Sequence, residues 1–155
     1  MFRFLIFLPL ASLAAGCASM TERSTGLVDG GLTDCPAAPR CVSSQANDPD
    51  KRVPALRLQQ PADQAWPAVR EAVAGMPRTT IVTADDRYLH AEVISPWRFY
   101  TDDLELLLEP DAGRIQVRSS ARVGYYDFQV NRERVEALAE RLEARGMTAP
   151  AGSQP

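Results

Sequence analysis

The stretch Asp102-Asp103-Leu104-Glu105-Leu106-Leu107-Leu108-Glu109-Pro110-Asp111-Ala112-Gly113-Arg114-Ile115-Gln116-Val117-Arg118-Ser119-Ser120 decides how this chain folds. Leu104, Leu106 and Leu108 alternate with Glu105 and Glu109, and Ile115, Val117 and Ser119 alternate with Gln116, Arg118 and Ser120. A period of two is that of strands with one buried face. Pro110-Asp111-Ala112-Gly113 is the turn between them. If it closes simply, Glu109 faces Arg114, Leu106 faces Val117, Glu105 faces Arg118 and Asp103 faces Ser120. Both apolar sets then lie on one side of the hairpin. A slip of one residue would turn one set outward, so the pattern fixes the register.

Working outward, Thr79–Ala84 and Arg87–Ser95 read as strands joined by a tight connection at Asp85-Asp86, and Val53–Leu58 as a short strand. Residues 62–74 carry Ala65, Trp66, Val69, Ala72 and Val73 at helical spacing, with Asp63 as N-cap, Pro67 in the first turn and Gly75 as the stop. Trp66 reads as a core anchor. A second helix is expected over 132–145, capped by Asn131, stapled by Val130 on Val135 and ended by Gly146. Its buried stripe is Val135, Leu138, Ala139 and Leu142, with Met147 packing on Leu142. The order β-α-β-β-β-β-α predicts an α+β fold: a mainly antiparallel sheet of four or five strands with two helices packed on one face.

The start of the chain carries an address. Phe4 to Ala15 is an apolar run after Met1-Phe2-Arg3, too short for a bilayer-spanning helix and suited to a secretory signal. It ends in Leu13-Ala14-Ala15-Gly16-Cys17, which resembles the bacterial lipobox. That resemblance implies a signal peptide at 1–16 and diacylglycerol attachment at Cys17. It also implies, through Ala18, an outer-membrane protein facing the periplasm. Residues 17–52 are expected to form a flexible stalk, 53–148 the globular domain and 149–155 a loose tail. Within the stalk, Cys35 and Cys41 flank a Pro-rich turn. Outside the cytoplasm such a pair would form a disulfide, with free thiols or a metal as the other options. A metal is poorly served, because His90 is the only histidine and there is no second cysteine pair.

Composition restricts the partners. Of the 155 residues 45% are hydrophobic and 24% charged, with a net charge of −3, so the chain is globular and has no general electrostatic reason to bind nucleic acid or anionic lipid headgroups. Lys51 is its one lysine. Arginine dominance is first a matter of genome composition rather than of bidentate anion binding.

The motifs Cys35-Pro36 … Pro39-Arg40-Cys41-Val42-Ser43-Ser44, Asp102-Asp103-Leu104-Glu105, Val117-Arg118-Ser119-Ser120-Ala121-Arg122-Val123-Gly124-Tyr125-Tyr126-Asp127 and Asn131-Arg132-Glu133-Arg134-Val135 together resemble the family catalogued as Domain of Unknown Function 1499. The resemblance covers about residues 35–145 and brings no activity, cofactor or catalytic residue with it.

One polar surface stands out. Alternation places Glu105, Arg118, Ser120 and Arg122 opposite the leucines, and the following loop leads through Asp127 to Asn131 and Arg132 at a helix start. A helix N-terminus with adjacent arginines could form an anion pocket from Arg118, Ser120, Arg122, Asp127, Asn131 and Arg132. The competing reading is a solvated face with a Glu105–Arg118 ion pair and Asp127 or Asn131 organising a turn. A hydrolase built from His90, Glu105 and Ser120 is thinner, because no nucleophile elbow is present. Asp102 and Asp103 point to opposite faces and make a poor cation shell. The sequence thus favours a non-enzymatic envelope module that binds a protein, lipid or cell-wall component. A periplasmic hydrolase or lipid-modifying enzyme is the alternative.

Overall fold

A computed structural model describes residues 25–95 and 99–150. In chain order the elements are β1 (Leu27–Val28), β2 (Gly31–Leu32), β3 (Cys41–Ser43), β4 (Leu56–Arg57), α1 (Ala62–Ala74), β5 (Thr79–Ala84), β6 (Tyr88–Ile94), β7 (Thr101–Glu109), β8 (Arg114–Ala121) and α2 (Val130–Glu143), with a single 3₁₀ turn at Pro49–Lys51. The main sheet has six strands in the order β3-β8-β7-β6-β5, and β4 shares the border of β8 with β3. The strands pair antiparallel throughout. The fold is α+β, as expected, with more strands than the four or five read from the pattern.

The central hairpin has the expected register: Glu109 pairs with Arg114, Leu106 with Val117, Glu105 with Arg118 and Asp103 with Ser120. Leu104, Leu106 and Val117 are fully buried and, with Leu89, Ala91 and Ile115, form the sheet side of the core. Trp66, Val69 and Val73 of α1 and Val135, Leu138 and Leu142 of α2 cover that same face. Burying each of these leucines contributes about 2 kcal/mol before entropy is counted. Trp66 is a core residue, and its indole Nε1 donates to the Asp85 carbonyl at 2.9 Å.

Helix ends differ in detail from the sequence reading. Pro61, not Asp63, precedes the first turn of α1, and no side chain caps it; Asp63 lies in the first turn, where its charge favours the dipole. Gln129, in the left-handed region at φ 70°, stands at the N-cap of α2, and the Asp127 carboxylate accepts from the Gln129 and Asn131 amides. The capping oxygen therefore comes from two residues further upstream than Gln129. Val130 is the first residue of α2 and 44% exposed, so it does not occupy the position before the cap from which a staple is made. Gly146 ends the helix as expected, at φ +66° with Met147 N bonded to the Leu142 carbonyl.

The largest difference concerns residues 25–52, read from composition as a stalk. β3 pairs with β8 at Cys41–Ser120 and Ser43–Arg118, and Cys41, Val42 and Ser43 are all buried. β1 and β2 form a small hairpin turned by Asp29 and Gly30, and Leu32 is buried. Cys35 and Cys41 are joined by a disulfide. The segment is short on apolar residues because it packs against a polar surface, so hydrophobic periodicity does not reveal it. At the other end, Ala149 N bonds to the Arg57 carbonyl, tying the start of the expected tail to the sheet border. The leader, Cys17 and residues 151–155 lie outside the described residues.

Candidate functional site

Strand alternation sends one set of side chains away from the helices: Tyr88, His90 and Glu92 from β6, Asp103 and Glu105 from β7, Arg118 and Ser120 from β8. The sequence allows this face to be either a pocket or a solvated surface. It is instead largely buried: Glu105 is 0%, Asp103 1% and Arg118 2% exposed. Charges this deep require partners. Arg118 Nη1 donates to Glu105 Oε2 at 2.5 Å. The other oxygen, Oε1, accepts from Tyr88 Oη at 2.7 Å and from the Gly26 amide at 2.6 Å. Burial, then the bond to Glu105, pushes the Tyr88 phenol well above its ordinary range, so it stays a donor.

Beside this pair, Asp103 holds a second cluster. Its carboxylate meets His90 Nε2 at 2.7 Å, and Arg122 reaches it through Nε at 3.0 Å and Nη2 at 2.7 Å. Burial alone would raise the Asp103 carboxyl, but the His90 and Arg122 hydrogen bonds and the Arg122 charge outweigh it and hold it below the usual carboxylate range. Arg122 Nη2 also reaches Glu92 Oε1 at 2.6 Å. The guanidinium thus bridges two acids, and its bond to Asp103 raises its own pKa further.

What covers this face is the N-terminal segment. Gly26 bonds to Glu105, Arg40 Nη1 bonds to the Arg122 carbonyl at 2.6 Å, and Lys51 Nζ clasps the Pro36 and Ala37 carbonyls at 2.7 and 2.9 Å. The cover is incomplete. A cleft of about 470 Å³ remains between the segment and the sheet, with Val28, Pro36 and Arg40 on one wall and Arg118, Ser120 and Arg122 on the other. Two guanidinium nitrogens at this cleft, Arg40 Nε and Arg118 Nε, are buried without a hydrogen-bond partner. Arg40 also forms no ion pair among the described residues, whereas Arg118 and Arg122 each have a carboxylate. The Ser120 hydroxyl has one long contact, 3.4 Å to the Ala121 carbonyl.

The six residues expected to share an anion pocket are therefore divided. Arg118, Ser120 and Arg122 line the cleft. Asn131 lies at the helix-covered side, where its Oδ1 accepts from Ser119 Oγ at 2.7 Å and from Arg134 Nη1, and its Nδ2 donates to Asp127 Oδ2 at 2.8 Å and to the Arg40 carbonyl at 3.1 Å. Asp127 occupies the start of α2, so the amides there already have an anionic partner. Arg132 donates to the Asp50 and Arg52 carbonyls and ties the 3₁₀ turn to α2. Asp102 pairs with Arg134 at 2.6 Å, opposite in direction to Asp103. These contacts tie the start of α2 to β8 and to the 3₁₀ turn. Sequence reasoning missed Arg40 and Val28, and one signal was available: Asp29-Gly30 between Leu27-Val28 and Leu32 is a strong type I′ hairpin signature.

Fold and cleft together define a class: a small α+β domain whose sheet carries helices on one side and a disulfide-pinned polar cover on the other. Residues 31–142 match the family described as "Protein of unknown function (DUF1499)", and the chain belongs to that family. The match begins at β2, so the covering segment from there onward is part of the family domain. No curated protein and no solved structure shows significant similarity to the chain. No helix among the described residues is long and apolar enough to cross a membrane.

Proposed function

We propose that this chain is an envelope lipoprotein, anchored through Cys17 to the outer membrane. Its domain is a binding module for a small oxyanion-bearing ligand, a carboxylate or phosphate with an apolar side. The observation that supports the ligand reading is the lining of the cleft, where Arg40, without a carboxylate partner among the described residues, stands with Arg118, Arg122 and Ser120. An oxyanion pairs with a guanidinium through charge-assisted hydrogen bonds, stronger than those between neutral groups. Val28, Pro36 and Ala121 supply an apolar wall, which suits a ligand with a hydrocarbon portion.

An enzymatic reading has less behind it. Ser120 lies across the register from Asp103 rather than from a histidine, and His90 Nε2 is spent on Asp103. Among the described residues no hydrogen bond joins Ser120 to His90, the nucleophile–base contact that a serine hydrolase uses. Anchoring rests on the leader and on Cys17, and intact-mass analysis of the membrane-extracted protein tests it: an unacylated Cys17 refutes that half of the proposal.

For the cleft, calorimetric titration of the full protein with inorganic phosphate and with hexanoate is the direct measurement. Hexanoate should bind with the tighter affinity, and Arg40→Ala should weaken it by roughly tenfold, the effect of losing one charge-assisted hydrogen bond. Equal binding by wild type and Arg40→Ala, or no heat with either probe, refutes the cleft as an anion site.

A further inference from the structure

At the end of the sheet where β7 begins and β8 stops, the chain exposes aromatic side chains instead of burying them. Phe99 is 78%, Tyr125 76% and Phe128 79% exposed, and Tyr100, Val123 and Tyr126 are each about half exposed. The two loops bearing them leave the same end of one ladder: Asp102 pairs with Ala121, and Arg122 N bonds to the Thr101 carbonyl. Tyr126 and Phe128 meet edge to face at 5.2 Å, which fixes that pair as a unit facing water. Phe128 itself is held at φ 55°, a conformation that large side chains adopt rarely. A cluster of exposed aromatics of this size marks an interaction surface rather than the scattered apolar exposure of any protein.

We infer that this aromatic end docks the domain onto the surface of a phospholipid bilayer. Two considerations select lipid over a protein partner, and the first rests on the lipid anchor proposed above. Thr25 follows Cys17 by eight positions, a reach of about 28 Å at full extension, so an anchored domain never leaves the neighbourhood of the bilayer. The tether arrives close to the aromatic end: Gly26 is fixed to Glu105, four residues along β7 from Thr101, or about 13 Å. Second, the chemistry is that of an interfacial belt. Tyrosines with polar tips and phenylalanines make up this exposed end, as they do where proteins meet the headgroup region.

The test uses the full acylated protein in a Trp97→Phe background, leaving the buried Trp66 as an internal reference. A reporter tryptophan is placed at Phe128→Trp, or as a control at Val82→Trp, which sits exposed on the bulge of β5 at the far border of the sheet. Vesicles of phosphatidylethanolamine and phosphatidylglycerol are compared with vesicles of the same lipids brominated near the headgroup. The Phe128→Trp reporter should lose roughly half of its emission to bromine, as a side chain inserted at the headgroup boundary does, while the Val82→Trp reporter keeps its own. Equal quenching of both, or none at position 128, overturns the inference. Co-flotation and intact mass of the same samples report acylation separately. If Cys17 is bare, the protein added to vesicles from solution still decides the matter, since absence of quenching at position 128 overturns lipid docking there too. A patch that instead self-associates, with quenching absent and a dimer in sedimentation, overturns it in favour of a second copy.

Discussion

The two faces of the sheet are closed by different physics. The helix side is sealed by hydrocarbon: Leu89, Leu104, Leu106, Leu138 and Leu142 are all fully buried. The opposite side is equally inaccessible at Glu105 and Arg118, yet it is held by directional contacts between charges, amides and a phenol. Hydrophobic contacts tolerate small adjustments and fill space. Hydrogen-bonded ions must meet at fixed geometry, and where they do not interlock they leave gaps. Both sides nonetheless carry a cleft: one of about 520 Å³ lies between β4 and α2, lined by Leu56, Val135 and Ala139, and the one at Arg40 and Arg118 differs from it in its charged walls. A surface closed by pairing rather than by filling can be buried and still have room for a ligand.

Removing one partner from the second face should have the largest effect. Glu105→Ala strands the Arg118 charge, together with the Tyr88 and Gly26 donors, and should cost about 3–5 kcal/mol in urea denaturation. The double variant Glu105→Leu/Arg118→Leu should recover the part due to the stranded charge and keep the smaller cost of the unpaired Tyr88 and Gly26 donors. A single variant as stable as wild type would remove the contrast between the faces. Reducing the Cys35–Cys41 bridge comes next, at about 2 kcal/mol for so short a loop, and the change should be felt on one face only. Hydrogen exchange after reduction should rise across residues 25–40 and stay low in α1 and α2. A uniform rise would show that the cover and the core are one cooperative unit.

The smallest effect concerns acid. Asp103 has a folded-state pKa below its unfolded value, so its contribution is complete above about pH 4 and is lost as pH falls through the lower folded value. Arg122 is more than a third exposed and screened by solvent, which limits the contribution to on the order of 1 kcal/mol or less. Asp103→Asn should therefore flatten the acid limb of the stability curve, measured by thermal melts below pH 4. A limb of unchanged steepness would assign the acid sensitivity to another carboxylate.

How much of this was readable in advance followed the same division. Leucine alternation gave the register of the β7–β8 hairpin, and helical spacing gave α1 to the residue, because burial against hydrocarbon leaves a periodic trace. Residues 25–52 leave no such trace: Thr33, Asp34, Pro36 and Arg40 have the composition of a linker while lining the cleft. Arg118, Ser120 and Arg122 were legible as one face. Their separation from Asp127, Asn131 and Arg132 was not, because adjacency along the chain says nothing about which side of a sheet a following helix will cover. Nor could spacing tell that Asp127 would fill the helix start expected to receive a ligand anion.

The borders of the sheet carry a consequence of their own. On one side the outer strands β3 and β4 are three and two residues long and share the margin of β8. On the other, β5 is interrupted between Ile81 and Thr83, where Val82 leaves the ladder. Neither margin presents a long, flat row of free amides and carbonyls, the template on which a neighbouring chain would extend a sheet. Molecules confined to a plane meet one another far more often than the same number in solution. Were the chain anchored as proposed, its short and broken margins would allow such crowding without templated polymerisation.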